Sequence, residues 1–385
     1  MKIVFISNYY THHQAPFCEE LYKRCGVNFH FIETVPMSEE RKNMGWSLAE
    51  PAFVIKAYES FGKYQEAKAI VFDADVVIKG DGPYDLISER LEGGKLTFLY
   101  SERIYKNFKA LLKLPYHYFK FRKQYQRFDN FYLLCASAFT SADFLKINCF
   151  SHKAYKWGYF TSVERHNDID LFLKNMKLKR QGVSILWAAR LIKLKHPEAA
   201  IEVAKRLVSD GYCFHLNIIG DGMMHKELEK MIIRNNLQPY VKLLGFMSPK
   251  KVREYMDKSD IFLFTSDKNE GWGAVLNECM NSACVPVASH AIGSVPFLIN
   301  EKNGMIYKDG DINDLYNKVK WLIDHPDNRS KMAKCAYYTI VNLWNAETAT
   351  SHLFELIDYI KTKKTMMIQN GPCSEAPLLK NNWLK

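Results

Sequence analysis

Glu270 and Glu278 stand eight positions apart in NEGWGAVLNE, directly after the apolar run IFLF. Ile261–Phe264 reads as a buried strand and the residues after Gly273 as a helix, so the stretch is a strand–loop–helix corner. Free N–H groups at a helix start favour an anion there. Gly271 and Gly273 let the backbone approach a phosphate closely. Two fixed carboxylates beside an anion site make sense only if they face something else, with Glu278 about one turn inside the helix and Glu270 on the loop before it. Two further patterns occupy strand ends. In WAARLIKLKHPE, Arg190 lies just past a strand and Lys195 five residues on, ahead of a helix beginning near Pro197. An arginine fork plus a lysine point charge suits a diphosphate, although ordinary loop cations give the same pattern. In NIIGDG, Gly220 and Gly222 flank Asp221, as a plain tight turn also requires.

The elements that must carry these residues alternate. KIVFIS, NFHFIET, AIVFDADVVI, KLTFLYSE and YLLCAS are strand candidates in the first half, separated by helical patterns such as FCEELYKRC. SILWAAR, FHLNIIG, VKLLGF, DIFLFTS, VPVAS and GMIY restart the pattern in the second half. Such alternation predicts parallel sheets with crossover helices. The polar stretch Ala154–Gly182 breaks it and marks a domain boundary. The expected organisation is an α/β chain of two facing Rossmann-like domains, residues 1–165 and 170–345, whose strand ends border a ligand cleft. A helix over 346–361 follows, expected to pack back on the first domain, and residues 365–385 lack periodicity and are expected to be loose.

Composition narrows the partners. With 385 residues, 48% apolar and 25% charged, the chain has the make-up of a two-domain soluble protein. No apolar run approaches the roughly 18–20 residues that span a bilayer, and the N-terminus does not read as a secretion signal, so a cytoplasmic protein is expected. Nine scattered cysteines without a C-x-x-C pair support neither a disulfide framework nor a zinc site. The net charge of +11 is concentrated in one segment. Residues 103–127 hold eight Lys/Arg and no acid, interleaved with aromatics and leucines. That is the composition of a helix at an anionic membrane interface. A partly buried helix with a solvated basic edge has it too, and so, more distantly, does a binder of single-stranded nucleic acid; no nucleic-acid partner is expected.

Taken together, Arg190-Leu191 with Lys195, IIGDG, VKLLGF, Glu270-Gly-Trp-Gly to Glu278, VPVASHAIGSVPFLI and NGMIY resemble the second domain of the GT-B glycosyltransferases. The resemblance is to the large retaining family 4, glycosyl transferase group 1, and covers roughly Ser184 to Lys361. FISNYYTHHQAPFCEEL and LLCASAFTSAD look like the acceptor domain of a branch found in bacterial surface-polysaccharide synthesis. The resemblance implies a nucleoside diphosphate sugar as donor, of UDP or GDP type, a glycan or lipid-linked acceptor, retention of configuration, and no cofactor or metal. It implies that Arg190 and Lys195 neutralise the leaving diphosphate and that amides around Gly271, Gly273, Ala274 and Val275 contact it, as does the turn at Gly220. Glu270 would accept hydrogen bonds from the transferred sugar and Glu278 from the ribose, while Phe246 and Met247 stand where the base lies. The chain departs from the pattern after the first strand, where many members have a glycine-rich turn and this one has His12, His13 and Gln14. Those three, with Glu102 at a later strand end, are the acceptor-side candidates, although Glu102 could equally pair with Arg103. The D-x-D steps at Asp73, Asp168 and Asp309 are expected to be incidental. A sugar-nucleotide epimerase of the same fold and a non-catalytic sugar- or polyanion-binding protein are the alternatives. The enzyme is expected in the cytoplasm, at the inner face of the membrane.

Overall fold

The computed structural model describes residues 1–384 except positions 44, 47, 178–181, 364 and 366. Positions 178–181 of the expected boundary, and 366 and 385 of the expected tail, therefore lie outside the described residues. The chain divides into two compact units. Met1–Ser162 and Asn345–Trp383 form the first, and Val163–Trp344 the body of the second.

The first unit is built on seven parallel strands: β1 (Ile3–Ser7), β2 (Phe29–Glu33), β3 (Val54–Lys56), β4 (Val76–Lys79), β5 (Thr97–Ser101), β6 (Phe131–Cys135) and β7 (Ala154–Lys156). Their order is β3-β2-β1-β4-β5-β6-β7. The second carries six: β8 (Val183–Ala188), β9 (Phe214–Ile219), β10 (Val241–Leu243), β11 (Ile261–Phe264), β12 (Val285–Ser289) and β13 (Met305–Tyr307), in the order β10-β9-β8-β11-β12-β13. All of them pair in parallel. Every residue of β1, β4, β6, β8, β11 and β12 is buried, as expected of parallel strands covered on both faces. The order reverses between β1 and β4 and between β8 and β11, and at such switch points loops diverge and leave a crevice.

Three local readings differ from the structure. In AIVFDADVVI only Val76–Lys79 is strand; Ala69–Asp73 finishes the helix Phe61–Asp73, which turns Ala67 and Val71 into the core. A short apolar run fits either period. The edge strands β3 and β7 are only three residues long, too short to show alternation. The tail, expected to be loose, instead lines the edge of β7. Lys156 N–H donates to Ser374 O at 2.7 Å, Cys373 N–H to Lys156 O at 2.7 Å and Ala376 N–H to Ala154 O at 3.0 Å. An edge strand exposes unpaired backbone groups, and the tail satisfies them while burying Cys373 and Ser374.

The helix Ala346–Thr362 packs on the helix Ala15–Cys25 of the first unit. Arg24 contributes a hydrogen bond to Ser351 and lies over the Phe354 ring at 5.5 Å.

Candidate functional site

The donor-side candidates are held by the loops that leave the carboxyl ends of β8, β9, β10 and β11. After β8, the N–H of Leu191 donates to Asp221 O at 2.8 Å, tying the arginine turn to the glycine turn after β9. Gly220 makes this approach feasible. Its φ is +135°, and a Cβ there would lie 1.8 Å from Ala189 O. Arg190 is exposed and, among the described residues, pairs with no carboxylate.

Lys195 is different. It forms an ion pair with Glu270, and both side chains are largely shielded from solvent. The backbone brings them together. Thr265 Oγ1 donates to Lys195 O at 2.6 Å and itself accepts from Trp187 Nε1 at 2.8 Å. Asp267 N–H donates to Leu194 O at 3.0 Å, and Glu270 N–H to Asp267 O at 3.0 Å. His196 completes the bracket in a left-handed conformation, φ 48°. Its Nδ1 is 2.8 Å from Glu198 Oε1, and its Nε2 is 3.6 Å from Asp267 Oδ2. The bond to Glu198, with Asp267 beside it, raises its pKa above the ordinary value. Neither His196 nor Asp267 was expected at the site; the only signal was a bulky residue between Lys195 and Pro197.

The loop after β11 is anchored by Trp272, which is buried, packs near Phe297 and Trp344, and bonds Asn277 Oδ1 through Nε1 at 2.8 Å. Gly273 has φ +77°, and a Cβ on it would sit 2.3 Å from the Phe264 ring. Close packing on the strand below therefore requires glycine. Beyond it begins the short helix Val275–Asn281. The N–H groups of Gly273 and Ala274 have no backbone partner among the described residues. Glu278 is buried enough that its carboxyl is pushed up to about 7, Arg253 acting in the opposite sense. Phe246 is exposed and Met247 half-buried, on the loop after β10. Thus the structure joins Lys195 to Glu270 and leaves Arg190 without a carboxylate partner among the described residues.

In the first unit, His12, His13 and Gln14 follow β1. Gln14 is the residue before the helix Ala15–Cys25, and its amide engages Thr11 and, at 3.5 Å, Ser7. The imidazoles of His12 and His13 lie 3.9 Å apart. His13 is 5.8 Å from the Tyr159 ring, whose hydroxyl donates to Glu102 Oε1 at 3.1 Å. Glu102 pairs with Lys106 at 2.8 Å rather than with Arg103. Arg103 is buried against Asp143 at 3.5 Å, because a buried guanidinium needs a buried partner.

The D-x-D residues have structural partners. Asp73 pairs with Lys2 at 2.7 Å, Asp168 accepts from the N–H groups of Asp170 and Leu171, and Ser289 Oγ donates to Asp309 at 3.3 Å. Among the described residues no group of three or more His, Cys, Asp or Glu is arranged to hold a metal ion.

Comparison with known proteins covers both units. The family model of the glycosyl transferases group 1 matches residues 162–339. An amylovoran biosynthesis glycosyltransferase, AmsK of Erwinia amylovora, is 34% identical over 146 residues, 36% of each chain. An alpha-D-kanosaminyltransferase of Streptomyces kanamyceticus is 27% identical over 192 residues, 48% of this chain and 49% of that one. The chain thus spans between about a third and a half of the length of the first curated relatives it matches. Over nearly its whole length it is similar to the solved structure of Anabaena Alr3699/HepE in complex with UDP, with TM-score 0.67 at 14% identity, covering 93% of this chain and 100% of that one. The lipopolysaccharide outer core galactosyltransferase WaaB is also similar, with TM-score 0.64 at 16% identity, covering 94% and 100%. At such identities the likeness is one of fold, the GT-B fold of two Rossmann-like units. Residues 162–339, a little under half of the chain, are thus similar to the glycosyl transferases group 1.

Proposed function

We propose that the protein transfers a sugar, with retention, from a nucleoside diphosphate donor to a glycan or lipid-linked acceptor in surface-polysaccharide synthesis. The observation that carries this reading is the shielded Lys195–Glu270 pair beside an exposed Arg190 without a carboxylate partner. Each member of the pair neutralises the other. A bound donor replaces both partners in kind: its diphosphate takes Lys195 and its sugar hydroxyls take Glu270. Arg190 and the free amides at Gly273 and Ala274 then meet the charge that develops on the departing diphosphate, through donors already in place. Glu278 accepts from the ribose once ionised, and the exposed Phe246 offers a face to the base. Neither glutamate needs to transfer a proton. Support comes from the relatives: AmsK is named for amylovoran biosynthesis, and HepE is solved with UDP.

On the acceptor side the reading assigns His12, His13, Gln14 and Glu102 to contacts with the acceptor, and residues 103–127 to the membrane that carries it. The donor is the only small molecule required; the reading includes no separate cofactor and no essential metal. A thermal-shift panel with UDP, GDP, ADP, CMP and their sugar conjugates, in EDTA, tests it in wild type and Arg190→Ala. A ligand at a hundredfold its dissociation constant stabilises by roughly 2.7 kcal/mol, enough to detect. One nucleotide should shift the wild type and fail to shift the variant. No shift with any nucleotide would remove the donor assignment. Free nucleotide released without a glycan product would favour the epimerase alternative.

A further inference from the structure

Arg41 of the first unit is a cation without a counter-ion among the described residues. It follows the first-turn acids Glu39 and Glu40 in the helix Glu39–Asn43, and Glu39 is taken by Lys42 at 2.7 Å. Among the described residues no carboxylate pairs with Arg41. Its guanidinium instead lies 4.0 Å from the centre of the Trp46 ring, an arrangement that fixes the planar fork without satisfying its N–H donors. The Trp46 ring also lies 5.2 Å from the His12 ring and 5.3 Å from the His13 ring.

Those imidazoles are themselves incomplete. Nδ1 of His12 and Nδ1 of His13 are both buried and have no hydrogen-bond partner among the described residues. Burial lowers the pKa of both, and His13, also facing His12 and Arg41, is pushed down to about 3. Both are therefore neutral at assay pH, each ring carrying one N–H donor. Buried polar atoms with no partner are rare in native proteins and call for an occupant. The helix Ala15–Cys25 starts directly after Gln14. It has no acid in its first turn and no side-chain cap, while Lys23 and Arg24 stand in its last turn. Its dipole adds positive potential at the histidines. Glu102 lies behind Tyr159, and Lys106 already neutralises it at 2.8 Å. A half-buried arginine with no carboxylate partner among the described residues and two unsatisfied imidazoles thus meet around Trp46, and an uncapped helix starts directly after the imidazoles.

We propose that Arg41, His12 and His13 form an oxyanion site for the acceptor, which receives a phosphate ester next to the hydroxyl to be glycosylated. Arg41 supplies the bidentate donors, and the two imidazoles complete the contacts to the remaining oxygens. This rests on the reading of the first unit as the acceptor-binding one, and it narrows the acceptor to a phosphorylated class.

Calorimetry with inorganic pyrophosphate tests the site on the full chain. The Arg190→Ala background is used so that donor-side binding does not mask it. Arg41→Gln in that background should weaken pyrophosphate binding at least tenfold, and Arg41→Lys, which keeps the charge, should recover most of the loss. In an otherwise wild-type chain Arg41→Gln should leave the nucleotide-induced thermal shift unchanged. Equal pyrophosphate affinity with and without Arg41, or no binding in the Arg190→Ala chain, overturns the site. Loss of the nucleotide shift in Arg41→Gln assigns the anion to the donor and overturns the acceptor assignment. A chain that binds pyrophosphate through Arg41 but responds to no nucleotide supports the site while the donor reading fails.

Discussion

Lys195 and Glu270 hold each other, so removing one changes the other. Glu270→Ala leaves Lys195 uncompensated in a shielded site, where an anion is the best replacement partner. Nucleoside diphosphate affinity should therefore be kept or increased, while transfer falls about a hundredfold or more through loss of the sugar contact. Calorimetry and product assays on one preparation separate the two effects; weaker nucleotide binding would show that the pair is not exchanged on donor arrival. Glu278 makes a prediction with a definite sign. Its carboxyl is pushed from 4.5 to about 7 by burial, so the fold prefers the protonated form. The cost of ionising it builds up as pH rises from about 4.5 to about 7 and remains above that. Glu278→Gln should accordingly raise the thermal midpoint at pH 8 and leave it nearly unchanged at pH 4.5. On the proposed reading the ribose hydroxyls bond to the ionised carboxylate, so wild-type nucleotide affinity should rise between pH 6 and pH 8. The variant should bind more weakly and without that slope. A slope of the same size in Glu278→Gln would place the titrating group elsewhere.

The loop after β11 depends on a strand–loop contact that only glycine permits. Gly273→Ala brings a Cβ to 2.3 Å from the Phe264 ring at φ +77°, whereas Gly310 has the same φ with nothing within 4 Å of the added carbon. Both substitutions carry the cost of a left-handed alanine, of order 1–3 kcal/mol, but only the first must also displace the loop. Gly310→Ala should lower the thermal midpoint and keep the nucleotide shift; Gly273→Ala should lower it further and lose the shift. Similar behaviour of the two variants would mean the clash relaxes harmlessly. At this scale the sequence was legible where long apolar runs end in charged residues, as at Arg190, Lys195 and Glu270. It was opaque where the outcome depends on which strands become neighbours. Lys195 and Glu270 are 75 positions apart and meet because β8 lies next to β11. The pairing of β7 with the tail, and of Arg103 with Asp143 in place of Glu102, likewise follows from tertiary placement. His196 carried no periodic signal, and its role appears only with Glu198 and Asp267 around it.

For the molecule as a whole, the net charge of +11 has a structural focus. Residues 103–127 form no single long helix: short helices span Phe108–Leu111 and Leu114–Phe121, followed by a wider-wound turn over Arg122–Gln126. Leu112 and Lys113 between them keep right-handed helical backbone angles, so side chains retain helical spacing along the segment. Leu114, Tyr118, Phe121 and Tyr125 pack against the core of the first unit. Phe108, Leu112, Tyr116 and Phe119 fall on the opposite side and are 61–73% exposed. Lys109, Lys113, Lys120, Arg122 and Lys123 are exposed along the same segment, and none pairs with a carboxylate among the described residues. An apolar row edged by unpaired cations fits an anionic bilayer surface, with the rings among the headgroups and the cations beside lipid phosphates. A second copy of the chain fits poorly, since two such faces would bring like charges together. Each cation near the surface contributes about 1 kcal/mol, so Lys113→Glu with Lys123→Glu should reduce vesicle partitioning well over tenfold. Phe108→Ser with Phe119→Ser removes the apolar part and should also release the protein. Flotation of the full chain with vesicles of phosphatidylcholine, alone or mixed with phosphatidylglycerol, reads both. Wild type should float only with the anionic mixture and be released by salt. Both variants should keep the nucleotide-induced thermal shift, because the replaced side chains point to solvent. Wild-type binding that neither pair of substitutions weakens would place the membrane contact elsewhere on the molecule.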